Sequence, residues 1–187
     1  MLRRDAAVLT PAALPDFTVL YQEQFAYAFR TLRRLGVHPN DLEDLAHEVF
    51  VVVYRRLADY DATRPIRGWL FGIAYRVAAE YHRRGRGRRR NTMPMDDVVD
   101  DKPTPDAQLV LSEERALVIR ALEALDLDKR AVFVMHDIDG QSAPEIAATL
   151  AIPLNTVYSR LRLARAKFEA AVRAVACGHP AGGKDVQ

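Results

Sequence analysis

Apolar side chains recur along this chain at intervals of three and four residues, and no stretch keeps the strict alternation of a half-buried strand. Phe17, Leu20, Tyr21, Phe25, Phe29 and Leu32 make one apolar face of a first helix, with Gly36 placed to end it. Asn40 or Asp41 can cap a second helix, which continues through Leu42, Leu45, Ala46, Val49, Phe50, Val53 and Leu57. Its Val51-Val52-Val53 run leaves it apolar nearly all round, so it is expected to bury more than one face. A loop from Asp59 follows, and Pro65 suits the first turn of a third helix carrying Trp69, Leu70, Ile73, Ala74 and Val77 into Arg83. Further on, Leu109 to Leu125 and Lys129 to Asp137 predict two helices, and Asp139-Gly140 a turn. Ser142 and Glu145 have the spacing of a capping box, with Pro144 inside the first turn.

These elements fall into two helical groups, about Pro15 to Tyr81 and Gln108 to Val175. Between them, Arg83 to Ala107 has no sustained apolar period and contains Gly85, Gly87, Pro94, Pro103 and Pro105, the composition of a flexible connector. The expected fold is all-α: two small helical domains, 15–90 and 108–175, joined by a linker over 91–107. The tail after Val175 is expected to be disordered.

Residues 142–168 carry the most specific local pattern. Ile146, Ala147 and Leu150 line one face of a short helix, Ala151-Ile152-Pro153 makes a tight connection, and Val157, Leu161, Ala164 and Phe168 line a longer helix. Ala147 is small enough to let the two helices approach closely. This is the layout of a helix-turn-helix, whose second helix enters the DNA major groove. Its outer face holds Asn155, Thr156, Tyr158, Ser159, Arg160, Arg162 and Arg165, able to hydrogen-bond base edges or phosphates. On pattern alone, a helical hairpin with a solvated basic face remains the alternative.

Charge is segregated more strongly than the net of +2 suggests. Residues 1–95 hold 16 basic and 10 acidic side chains, 96–110 hold one Lys and five Asp, and 111–187 hold 10 of each. Arg83 to Arg90 alone contains six Arg, suited to phosphates through counterion release. The Asp cluster at 96, 97, 100 and 101 opposes DNA and could fold back on that run.

Several classes are excluded. The 187 residues are 49% hydrophobic and 28% charged, an ordinary globular balance. No apolar run approaches the ~20 residues of a membrane span, and Met1 to Pro15 lacks the apolar core of a secretory signal. A single cysteine, Cys177, cannot build a disulfide framework and fits a cytoplasmic protein. The five His residues show no metal-ligand spacing, no Gly-rich phosphate loop follows a strand, and Gly-x-Ser-x-Gly is absent. Asp41, Glu43 and Asp44 cluster where a helix start favours negative charge. The expectation is a non-enzyme with no cofactor and no metal.

Two blocks of residues carry a family resemblance. Leu122-x-x-Leu125, Arg130-Ala-Val-Phe-Val-Met-His136, Asp139-Gly-Gln-Ser142 and the helix-turn-helix resemble region four of the extracytoplasmic-function sigma factors of bacterial RNA polymerase. Asp41-Leu-Glu-Asp-Leu-Ala-His-Glu-Val-Phe50, Tyr54-Arg-Arg-Leu57 and Arg64-Pro-Ile-Arg-Gly-Trp-Leu-Phe-Gly-Ile-Ala74 resemble region two. The blocks stand in the family's order and with their surroundings span about 140 residues.

The resemblance implies that Asp44, His47, Glu48, Tyr54 and Arg55 face the clamp helices of the largest polymerase subunit. His47 stands where the family usually has Gln. It implies that Tyr60, Asp61, Arg64, Arg67, Tyr75, Arg76, Arg83 and Arg84 read and help open the −10 element. Trp69 could join them, although its spacing with Leu70 and Ile73 favours core packing. Arg76 replaces a common Asn. For the −35 element, Tyr158, Ser159 and Arg162 are expected to face the major groove, with Asn155, Thr156, Arg160 and Arg165 near phosphates. Tyr158 and Leu163 replace commonly basic residues. The implied partners are core polymerase, including its flap, promoter DNA and an anti-sigma factor. A stand-alone helix-turn-helix regulator would need an effector domain or dimer interface, and an adaptor would leave the Arg run unexplained.

Overall fold

The computed structural model describes residues 15–85 and 115–177. The segment read as a linker, most of the Arg83–Arg90 run and the tail beyond Cys177 lie outside the described residues. Everything described is helix or short connection, with no strand. The first group comprises α1 (Phe17–Arg34), α2 (Leu42–Arg56) and α3 (Ile66–Gly85). The second comprises α4 over 115–123, α5 (Leu127–Phe133), α6 (Ala143–Leu150) and α7 (Leu154–Cys177).

Local chemistry sets the ends of these helices. The Asp16 carboxylate accepts from the Val19 backbone N–H at 3.1 Å and starts α1. At its other end, Val37 N–H reaches the Leu32 carbonyl and Gly36 N–H the Arg33 carbonyl, with Gly36 at φ +84°. That is a Schellman motif, and it bears out the expected glycine stop. The expected cap of α2 does not form through Asp41: its side chain makes no cap bond and accepts the Tyr81 hydroxyl at 2.7 Å instead. A 3-10 turn, Pro39–Asp41, leads into the helix, and His38 accepts from Asn40 N–H.

The helix expected over Lys129–Asp137 begins at Leu127 and changes at Val134 into a π turn running to Ile138. The Asp139 N–H then reaches back to the Val134 carbonyl at 2.9 Å. Periodicity cannot register this widening, because it adds one residue without breaking the apolar face. The capping box at Ser142–Glu145 is present.

In α1 the deepest residues are Leu20, Tyr27, Ala28, Thr31 and Leu32. Phe17, Tyr21, Phe25 and Phe29 are half-buried. The first three of these pack their rings around Phe50 of α2, 4.9–6.5 Å between centroids. The buried stripe is therefore rotated from the aromatic one read in the sequence, because aromatic rings can close the edge of a core while keeping one side wet. Trp69 is half-buried with its ring 5.1 Å from that of Tyr60, in keeping with a packing role.

The two helical groups share one apolar core. Their boundary is closed by small residues and by charge. Gly72 of α3 faces Thr149 of α6 so closely that a Cβ on the glycine would lie 3.2 Å from the Thr149 methyl, and Gly68 faces Thr149 and Gln141. Asp139 accepts from the Tyr27 hydroxyl at 2.7 Å and from Arg34 at 3.2 Å. Asp128 accepts from the Tyr75 hydroxyl at 2.7 Å and from Arg160 at 2.6 Å. Arg130 is buried, donates to the carbonyls of Leu125 and Glu123, and lies over Gly36.

Gly36 and Gly140 both hold positive φ, but their surroundings differ. A Cβ on Gly36 would fall 1.9 Å from the Arg130 guanidinium, whereas nothing lies within 4 Å of one on Gly140. Gly140→Ala therefore carries the left-handed cost alone, about 1–2 kcal/mol. Gly36→Ala must also dislodge Arg130 from its acceptors and is expected to cost at least about 1 kcal/mol more, measured by urea unfolding.

Tyr75 supplies a pH-dependent prediction. Burial and the bond to Asp128 push its phenol up to about 12, while the unfolded chain releases that proton near 10. The contact thus contributes fully below pH 10 and is lost as pH rises toward 12. Stability of the wild-type chain is expected to fall more steeply between pH 10 and 12 than that of Tyr75→Phe, followed by circular dichroism.

Candidate nucleic-acid and polymerase interfaces

Three surfaces carry the residues singled out from the sequence. The first is the outer stripe of α2. Leu42, Ala46, Val49, Phe50 and Val53 bury the inner face, which leaves Asp44, His47, Glu48, Val51, Tyr54 and Arg55 on the opposite side at helical spacing. All six are exposed, and Tyr54 and Val51 retain 68% and 49% of their surface. The second buried face expected of α2 is present only in part, since Val52 is half-buried and Val51 is not covered. An apolar pair flanked by charge on a rigid helix suits a protein partner. His47 stands against the rings of Phe25 and Tyr21, which holds its edge toward solvent.

The second surface is the loop before α3 and the helix itself. Asp61 accepts from the backbone and hydroxyl of Thr63 at 3.0 and 2.6 Å, holding its carboxyl below the usual range. Arg64 pairs with Asp61 at 3.4 Å, and the Tyr60 hydroxyl donates to the Arg64 carbonyl. Tyr60, Asp61 and Arg64 are thus one small ordered loop with two charges pointing outward. Arg67 is exposed and lies over the Tyr27 ring at 5.3 Å, while Tyr75 is tied to Asp128. These two turn toward the second helical group. Arg76 is exposed beside a shallow groove between α2 and α3 that also involves Glu48 and Glu80. Arg83 and Arg84 both pair with Glu80.

The third surface is the exposed face of α7. The short helix, tight turn and long helix expected for a helix-turn-helix are all present as α6 and α7, and Val157, Leu161 and Ala164 form the inner face. Ala151 adopts the left-handed conformation at the turn, φ 53°, and Ile152 N–H reaches the Ala147 carbonyl. Asn155, Tyr158, Ser159, Arg162 and Arg165 are exposed and Thr156 is half-buried. Tyr158, Arg162 and Arg165 line a shallow groove, and the Ser159 hydroxyl donates to the Thr156 carbonyl. Arg162 makes no ion pair among the described residues. Arg165 is held bidentately by Asp137, at 3.0 and 2.6 Å, beside His136. This pairing keeps the Asp137 carboxyl below its ordinary range. The half-buried Arg160 is turned toward Asp128.

Sequence reading missed Asp128, Asp139 and Tyr27. Asp139 was legible only as part of a turn, and Asp128 only as a charge near a helix start. Their acceptor roles depend on residues 105 and 112 positions away for Asp139, and 53 and 32 for Asp128. No local signal encodes such distances.

The comparisons with known proteins follow the same division. Residues 20–89 match the family model for Sigma-70 region 2, and residues 115–168 that for Sigma-70, region 4. The chain is 34% identical over 146 residues to the RNA polymerase sigma factor CnrH of Cupriavidus metallidurans, covering 74% of this chain and 76% of that one. It is 32% identical over 140 residues to the ECF RNA polymerase sigma-E factor of Escherichia coli, covering 69% and 72%. Among solved structures it is similar to CnrH in complex with the cytosolic domain of CnrY, with a TM-score of 0.58, 28% identity and coverage of 84% and 88%. Two region models in the right order, and relatives matched over most of their length, lead to one conclusion: the chain belongs to the extracytoplasmic-function sigma factors of bacterial RNA polymerase.

Proposed function

We propose that the α2 stripe docks on the clamp helices of core polymerase, that the Tyr60–Arg67 loop with α3 captures −10 DNA, and that α7 reads the −35 element. The observation that carries this reading is the joint presence, in one chain, of an exposed apolar-and-charged stripe on α2 and an exposed, Arg-bearing face on the second helix of a helix-turn-helix. A DNA regulator needs only the second; a promoter-directing subunit needs both.

In this reading the chain divides into a region-two domain, 15–90, and a region-four domain, 108–175, linked by 91–107. Each surface has its own chemistry. Bases leaving the duplex require a stacking platform and cations on the backbone, which Tyr60, Arg64, Arg67, Tyr75, Arg76, Arg83 and Arg84 supply, with Asp61 shaping the loop. Major-groove reading requires side chains that reach base edges, and Tyr158, Ser159 and Arg162 stand exposed on α7. Asn155, Thr156, Arg160 and Arg165 serve as phosphate contacts. The chain directs initiation and leaves catalysis to the polymerase, so it works in the cytoplasm with no cofactor of its own. No helix among the described residues is long and apolar enough to cross a membrane. The solved relative CnrH is bound by a segment of another protein, CnrY; an anti-sigma factor is the corresponding partner here.

The test of the whole reading is run-off transcription with core polymerase alone. Specific initiation from this chain plus core is the expected result, and a requirement for a separate sigma factor would refute it. Arg162→Ala is expected to lower −35-dependent initiation by about 1–3 kcal/mol while sparing promoters that lack the element; equal loss on both would remove its base contact. Val51→Asp combined with Tyr54→Ala is expected to weaken binding to labelled core at least about tenfold, read by fluorescence titration.

A further inference from the structure

The boundary between the two helical groups occupies residues that the proposed function needs elsewhere. Tyr75 and Arg67, assigned to −10 DNA, lie at this boundary, Tyr75 on Asp128 and Arg67 over Tyr27. Arg160, assigned to −35 phosphates, shares the same Asp128 carboxylate. On α3 itself, Gly68 and Gly72 are covered by Thr149 and Gln141. The side of α3 that faces α6 is therefore filled by the chain's own helix-turn-helix.

Size makes the same point independently. Elements centred at −35 and −10 are about 25 base pairs apart, roughly 85 Å along B-form DNA at ~3.4 Å per pair. A compact chain of 187 residues has a radius of gyration of about 16 Å. In the arrangement seen, α3 and α6 are in contact, so the two readers cannot span that distance. The 29 residues from 86 to 114 could bridge up to about 100 Å when extended. The sequence thus has enough chain to separate the groups, and the structure has them joined.

We infer that the α6-facing side of α3, with Tyr75 at its edge, is an interaction surface with two alternative occupants: the chain's own α6, latched by Asp128 and Asp139, in the free protein, and promoter DNA once the latch is released on polymerase. This rests on the assignment of α3 to −10 DNA. The latch is polar where it must break. Asp139 and Asp128 each accept two bonds across or beside the boundary, and water or phosphate-bound partners can replace such bonds at little net cost. The Gly72–Thr149 contact supplies the close fit that makes the joined form specific.

The test uses the full chain with Cys177→Ser and a cysteine pair, Gly68→Cys with Thr149→Cys. Mild oxidation of the free protein is expected to give an intramolecular crosslink, seen as a mobility shift on a non-reducing gel. The crosslinked form is expected to lose run-off initiation with core polymerase, and reduction to restore it. Failure to crosslink, or initiation undiminished by the crosslink, overturns the inference. A second measurement needs no crosslink: binding of a −10 single-stranded oligonucleotide by the free chain. Asp128→Ala with Asp139→Ala is expected to tighten it about tenfold, and unchanged affinity counts against the latch. Failure of the sigma reading itself would look different, because the reduced and wild-type chains would then not initiate either.

Discussion

A buried guanidinium has to be surrounded by acceptors, and Arg130 satisfies that constraint by standing at the meeting point of the two helical groups. Its donors reach the carbonyls of Leu125 and Glu123, at the end of α4 and just beyond it, while its flat face covers the Gly36 turn that ends α1. Such a group is costly to bury without partners and cheap to keep once they are in place. The glycine turn, the Schellman bonds and the path from α4 into α5 all have to be arranged before Arg130 can fit. The apolar core then closes on both sides of it, through Leu32, Leu35 and Val37 in the first group and Leu122, Val132 and Val134 in the second.

Around that centre, the helices divide their surfaces by what they have to meet. α2 hides five large or small apolar residues and turns outward a stripe that mixes Val51 and Tyr54 with Asp44, Glu48 and Arg55. α7 buries Val157, Leu161 and Ala164 and presents Tyr158 and Arg162. The α3 helix is the exception. It buries Leu70, Phe71, Ile73, Ala74 and Val77 against the first group and uses glycines to meet the second. A helix packed on two sides has little surface left for a ligand, and for α3 that scarcity is what gives the boundary its functional meaning.

Most of this architecture was legible in the sequence because it is local. Helical spacing located the elements, Gly36 and the Ser142–Glu145 pair marked two of their ends, and the layout around Ala151 revealed the helix-turn-helix. Exposure of the α2 stripe followed from the same spacing. What periodicity could not supply was anything fixed by distant partners. Asp41 looks like a helix cap and serves Tyr81 instead. Tyr75 reads as a nucleic-acid residue and is tied to Asp128. The π turn at Val134–Ile138 leaves no trace in the apolar pattern, yet it lies directly before Asp139. The two groups were expected to be tethered; that they touch depends on the fit of Gly72 to Thr149, which no single position announces.

That fit has a consequence for how the chain can change over generations. With the Thr149 methyl only 3.2 Å from where a Cβ would sit, any side chain gained at Gly72 must be matched by one lost at position 149. The two halves of the molecule carry separate binding duties, but they are not free to drift apart: a substitution admitted in one is vetted by the shape of the other, and a region borrowed from a distant cousin would arrive with the wrong half of the pair.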